Sequence, residues 1–199
     1  MSRYAHAPDH PEASSRAAAS GASRTPVPGA LVVPPGTAEH VPLPHGGGFD
    51  LLVDATATGG ALGANRLTLG EGADGAGPHH HARSTELFHV LDGTVDFFLD
   101  GELVTVGRGG LVVVEPGTPH AFGAAAGDTA DLLVVLTPGV DRFDYFRTLG
   151  RVQHGLDSFD SLLPQQDRYD VHFLDAADWR AARAAASGGV QRAKARRTP

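Results

Sequence analysis

From Ala30 to Leu136 the apolar side chains come in short runs, and most runs are closed by Gly, Pro or an Asp-Gly pair. Ala30–Val33, Phe49–Asp54 and Leu62–Leu69 read as the first strands, with a stop at Pro34-Pro35 and a turn at Gly59-Gly60. Residues 70–77 are glycine-rich and read as a loop. Thr85–Leu91 and Thr94–Leu99 flank Asp92-Gly93, which is the pattern of a hairpin. Asp100-Gly101 repeats that turn chemistry before Glu102–Val106. Leu111–Val114, His120–Phe122 and Ala130–Leu136 follow, separated by Pro116-Gly117 and Gly127-Asp128. Strands of about 4–8 residues at a spacing of about 8–12 predict an antiparallel sandwich or barrel. No internal repeat is present, so one barrel is expected.

After Pro138 the period changes. Phe143, Phe146 and Leu149 fall at helical spacing, with Asp141 as the expected N-cap and Gly150 as the stop. Residues 154–168 show no pattern, and Tyr169–Leu174 reads as an added strand. Asp175 is placed to cap a helix through Trp179 to about Ala186, ended by Ser187-Gly188-Gly189. Residues 1–28 carry few large apolar side chains and cannot bury enough surface to offset their ordering entropy. The expected organisation is a disordered arm at 1–28, a barrel at 29–140, a helical packing extension at 141–187 and a basic tail at 188–199.

Composition narrows the chemistry. The chain of 199 residues contains no cysteine, which removes disulfides, thiolate nucleophiles and thiolate-bound zinc. The formal charge of -7 argues against nucleic acid as a partner. No apolar run approaches the ~20 residues of a membrane span, and the first residues lack an apolar signal core, so a cytoplasmic protein is expected.

The candidate chemistry lies in Gly77–Gly93. Side chains alternate along an extended segment, so His79 and His81 share a face and His80 points away. Along the next strand Glu86 shares a face with Phe88 and Val90, while His89 lies on the other. His120 follows the tight turn of Glu115-Pro-Gly-Thr-Pro-His120. His79, His81, Glu86 and His120 together offer three imidazole nitrogens and a carboxylate oxygen. That set suits one divalent transition metal, Fe, Mn, Ni, Co, Cu or Zn, with positions left over for a substrate or for dioxygen. Phe88, Phe97, Phe98 and Phe122 are candidate walls of a pocket beside it.

At these residues the chain resembles the cupin superfamily. Its first motif, G-x5-H-x-H-x3,4-E-x6-G, is met by His79, His81, Glu86 and Gly93, with Ala73 at the leading position. Its second, G-x5-P-x-G-x2-H-x3-N, is met by Gly109, Gly117 and His120, with Glu115 and Ala124 replacing the usual Pro and Asn. The resemblance covers about residues 48–138. It implies an antiparallel jelly-roll β-barrel, so that the whole chain is expected to be all-β with a C-terminal helical extension and disordered termini. Thr137–Gly150, Tyr169–Leu174 and Trp179 are further similar to the C-terminal part of single-domain bacterial quercetinases, the flavonol 2,4-dioxygenases. That likeness implies a metal-dependent dioxygenase of an aromatic or enolic small molecule, with Glu86 both ligand and base. The alternatives are a metal-dependent isomerase, cyclase, epimerase or decarboxylase that uses no dioxygen, and a binding cupin without catalysis. A homodimer is also expected, because barrels of this kind often pair through their outer sheets.

Overall fold

The computed structural model describes residues 29–195. Ten strands form two sheets that share one strand. The strands are β1 (Glu39–Pro42), β2 (Gly48–Val53), β3 (Gly63–Leu69), β4 (Asp74–His80), β5 (Thr85–Leu99), β6 (Glu102–Gly107), β7 (Leu111–Val114), β8 (His120–Ala124), β9 (Ala130–Thr137) and β10 (His172–Phe173). All pairs are antiparallel. The first half of β5 joins β9 and β7, which continues the sheet β1-β2-β3-β9. Its second half joins β8 and β6, and β8 leads on to β4 and β10. This is an antiparallel jelly roll with a C-terminal helical part.

The expected hairpin at Asp92-Gly93 is therefore replaced by one continuous strand. A register shift between Val90 and Asp92 makes a bulge, and Gly93 takes φ 73. A bulge bends a strand and raises its twist, which lets it pass from one packed sheet to the other. A Cβ on Gly93 would stand 1.9 Å from the carbonyl oxygen of Thr129, so the bend needs glycine twice over. The true hairpin is at Asp100 (φ 46) and Gly101 (φ 92), the two left-handed positions of a type I′ turn.

Between the sheets lies the core: Leu67, Phe88, Val90, Val95, Phe97, Phe122, Leu132, Val134 and Leu136 are all buried. Alternation governs which residues enter it, as in the burial of Glu86, Phe88 and Val90 along β5 against the part-exposed Leu87 and His89. The front of the chain differs from expectation. Ala30–Val33 forms no strand and leaves Leu31 and Val32 exposed, whereas Glu39–Pro42 pairs with β2. Residues 70–77 are only half loop, because β4 begins at Asp74. Gly75 allows this, since a Cβ there would overlap the ring of Phe122 at 2.4 Å.

The extension wraps the barrel. Helix α1 (Phe143–Gln153) buries Tyr145, Phe146 and Gly150. Asp141 does not cap it; its carboxylate instead accepts from the N–H and hydroxyl of Thr56. Gly150 does not end it either. It lies where α1 crosses β1, and a Cβ there would come 2.5 Å from Val41. Short 3-10 turns lead to α2 (Gln166–Tyr169), so the strand expected at 169–174 shrinks to β10. Helix α3 (Ala177–Ala195) runs through Ser187-Gly188-Gly189, whose glycines keep φ outside the left-handed range. The region read as a tail from 188 is thus helical as far as Ala195. Trp179 is buried against Phe98, and Arg183 pairs with Asp96 at 3.1 Å while donating to the carbonyls of Ala124 and Gly72. The expected arm at 1–28 and the last residues, 196–199, lie outside the described residues. Among those described, no helix is long and apolar enough to cross a membrane.

Candidate metal centre

Three strands bring the candidate ligands together. His79 lies one residue before the end of β4 and is paired across from His120 at the start of β8. His81 follows β4, held by the bond from Gly117 N–H to its carbonyl. Glu86 enters from the first half of β5, in the other sheet. All four side chains are buried, and one ligand atom from each lies within 4.8 Å of all the others. His80 points away, as alternation requires, and stacks on His172 with ring centroids 4.9 Å apart.

The hydrogen bonds around the rings decide what the cluster can hold. His79 Nδ1 lies 2.9 Å from the Gly77 carbonyl, His120 Nδ1 lies 2.9 Å from the Thr118 carbonyl, and His81 Nδ1 bonds the Asp170 carbonyl. A carbonyl only accepts, so each Nδ1 carries the hydrogen and donates it. In the neutral ring Nε2 is then a bare lone pair, and these lone pairs face inward. Yet His81 Nε2 and His120 Nε2 stand 3.1 and 2.9 Å from Glu86 Oε2. Acceptors at that distance need a positive charge between them, either a proton or a metal ion. Burial works to raise the pKa of Glu86, but the charge of His81 and the bonds from His120 and His81 outweigh it and hold the carboxyl well below the usual range. Burial, reinforced by His120, keeps His79 well below the ordinary imidazole value and hence neutral. A buried carboxylate, a neutral imidazole and inward Nε2 atoms with their outer nitrogens anchored match the chemistry of a transition-metal site.

Residues 65–136 match the family model of the cupin domain, Cupin_2. Over that stretch of the barrel the chain is similar to the cupin domain. No curated protein sequence matches this chain. Similar solved structures include a variant of Streptomyces PAC13 with uridine, 20% identical over 54% of this chain and 80% of that chain, TM-score 0.42. KdgF from Halomonas sp. is 21% identical over 50% and 87%, TM-score 0.43. A predicted oxalate decarboxylase from Thermotoga maritima is 21% identical over 50% and 90%, TM-score 0.44.

The candidate pocket phenylalanines divide. Phe88 is fully buried and packs on Phe97 and Phe122 at centroid distances of 5.2 and 4.9 Å, beneath His120. Phe122 also faces a cavity of ≈ 40 Å³ that borders His79, Glu86, Asn65, Tyr145 and Arg142. Phe98 points out of the barrel toward Trp179 and is not brought to the cluster. Two residues of the site carry no cue in the motifs. Arg142 is buried with Nη1 4.0 Å from Glu86 Oε1, and Asp170 supplies the carbonyl that anchors His81. Arg142 stands at the N-cap of α1, just before its first turn, on the side from which Tyr145 and Phe146 are buried.

Outside the small cavity lies a wider one of ≈ 350 Å³, between β4 and the extension. The two share Gly75, Ala76, His79, Tyr145 and Leu149, which stand between them.

Proposed function

We propose that this chain is a metal-dependent cupin enzyme acting on a small molecule with an enolic or hydroxy-ketone oxygen, with His79, His81, Glu86 and His120 as the ligands. The observation that supports it is the set of three imidazoles clustered about one buried carboxylate, each with its Nδ1 pinned to a backbone carbonyl and two of them, His81 and His120, with Nε2 against Glu86 Oε2. When bound, a divalent metal polarises a substrate oxygen and raises the acidity of its hydroxyl. Glu86 is ionised and has Oε2 engaged by His81 and His120, so Oε1 is the atom left to receive the substrate proton. A carboxylate held so far below neutrality is a weak base, and the acidified hydroxyl compensates for that. The apolar wall of Phe49, Phe122, Phe146 and Val134 keeps water from competing for the same proton.

The finer reading is a dioxygenase, with dioxygen as co-substrate, carried by the likeness to the quercetinases in the segment after the barrel. Oxygen uptake on adding flavonols, catechols or diketones to metal-loaded protein tests it. Turnover of such compounds without uptake transfers the protein to the isomerase, cyclase, epimerase or decarboxylase class. For the ligands, His81→Ala and His120→Ala are expected to lose bound metal by elemental analysis, while His80→Ala keeps it. Equal content in all three sinks the assignment. A homodimer belongs to the same proposal, supported by the exposed Leu111 and Val113 on the edge strand β7. A monomer mass in solution would end it.

A further inference from the structure

Arg142 is the most deeply buried arginine among the described residues, with 7% of its surface exposed. Its Nε and Nη1 have no hydrogen-bond partner. The approach of Nη1 to Glu86 Oε1, at 4.0 Å, is beyond hydrogen-bonding distance. The guanidinium lies over the rings of Tyr145 and Phe146, 5.0 and 5.4 Å from their centroids, which fixes its plane but leaves Nε and Nη1 without an acceptor. Its backbone is clamped as well, since Arg142 N–H donates to Asp54 Oδ1 at 2.7 Å. A buried guanidinium is costly unless paired, and five N–H donors in a rigid fork match a carboxylate. This one is held still at the wall of the ≈ 40 Å³ cavity that also borders Glu86 and His79.

Glu86 does not supply the missing partner. Its Oε2 is already committed to His81 and His120, and its charge belongs to the positive centre that those three groups require. The other polar side chains at the wall, Asn65, His79 and Tyr145, supply no anion. The cavity thus has a cationic end at Arg142 and a ligand cluster beside it, and His79 and Tyr145 line both it and the wider chamber.

We infer that Arg142 anchors the substrate and that the substrate is a small carboxylic acid, its carboxylate paired with the Arg142 guanidinium and its neighbouring oxygen turned toward His79, His81, Glu86 and His120. This rests on the metal reading above and narrows it. Among enolic and hydroxy-ketone molecules it selects those with a carboxylate on the adjacent carbon, the 2-oxo and 2-hydroxy acids. Such an acid fits the small cavity with its polar end, and any longer substituent extends into the outer chamber.

The test uses the full chain loaded with cobalt(II), its content checked by elemental analysis before any ligand is added. Pyruvate and glycolate are titrated against their amides, pyruvamide and glycolamide, following the cobalt absorption bands and the melting temperature. The acids are expected to bind at least about tenfold more tightly than the amides, as a charge-assisted fork requires. Arg142→Met is expected to weaken the acids about tenfold or more while leaving amide binding and cobalt content unchanged. Should that variant not fold, Arg142→Lys serves, and any weakening confined to the acids supports the assignment. Acids and amides binding alike, no acid binding, or a variant that holds the acids as tightly as the wild type overturns it. A wild-type chain that takes up no cobalt overturns the metal reading itself, and this inference with it, before the first titration.

Discussion

Asp170 holds the candidate centre from outside it. Its carbonyl accepts from His81 Nδ1, and its carboxylate accepts from the N–H groups of Ala82, Arg83 and Ser84 at 2.9, 3.2 and 3.0 Å. Those three residues form the loop that carries the chain from His81 to Glu86, so one side chain fixes the path between two of the ligands. Its φ of 51 is a conformation that Asp and Asn tolerate better than most residues. Asp170→Ala leaves three N–H groups without a partner and is expected to cost about 3 kcal/mol in urea unfolding. Asp170→Asn, which keeps one acceptor and the backbone preference, should cost roughly half as much. The pH dependence has a definite sign. Burial pushes the Asp170 carboxyl up, but the backbone donors led by Ala82 prevail and its pKa is lowered. Its contribution is therefore complete above the unfolded aspartate value near ~3.9 and is lost as pH falls through the lower folded value. An Asp170→Ala penalty that stays constant down to strong acid would refute this. The four candidate ligands are legible in the sequence because two-residue alternation separates His79 and His81 from His80. Asp170 and Arg142 are not, because their partners lie tens of residues away and only the wrapping of the extension brings them near.

Strand β5 shows what local pattern reading misses. Asp92-Gly93 and Asp100-Gly101 look alike as dipeptides, yet one bends a continuous strand and the other closes a hairpin. What separates them is the partner: Gly93 lies against Thr129, just before β9 begins, whereas a Cβ on Gly101 would meet nothing within 4 Å. Gly93→Ala meets both a forbidden backbone region and a carbonyl oxygen at 1.9 Å, so roughly 2–4 kcal/mol of stability should be lost. Gly101→Asn faces open space in a position Asn tolerates and should stay within about 1 kcal/mol of the parent. Urea midpoints at equal slope decide it, and equal penalties at the two glycines would mean that the contact with Thr129 is unimportant. The helices follow the same logic. Helical spacing finds α1, but Gly150 reads as a stop only until β1 is seen to cross it, and Gly188-Gly189 read as an end although α3 continues past them.

Across the whole molecule the candidate ligands come from both sheets, Glu86 from one and His79, His81 and His120 from the other. An ion held by all four would tie the two layers of the sandwich together where β5 has not yet crossed between them. The unfolded chain has no such arrangement, so the ion binds the folded state and stabilises it by mass action. At a free metal concentration about a hundredfold above Kd the gain is ~2.7 kcal/mol. For a chain of this size each kcal/mol moves the melting temperature by roughly 2–4 °C, so stripping the metal with a chelator should lower it by about 5–10 °C. His81→Ala starts from a lower melting temperature because it loses the bond to the Asp170 carbonyl, but the chelator should shift it little further. The comparison within each variant, with and without chelator, separates the loss of a structural bond from the loss of an ion. A wild-type protein that carries metal yet melts at the same temperature after stripping would mean that the ion rests on one sheet alone. In that case Glu86, the one ligand contributed by the other layer, is the residue to remove from the set.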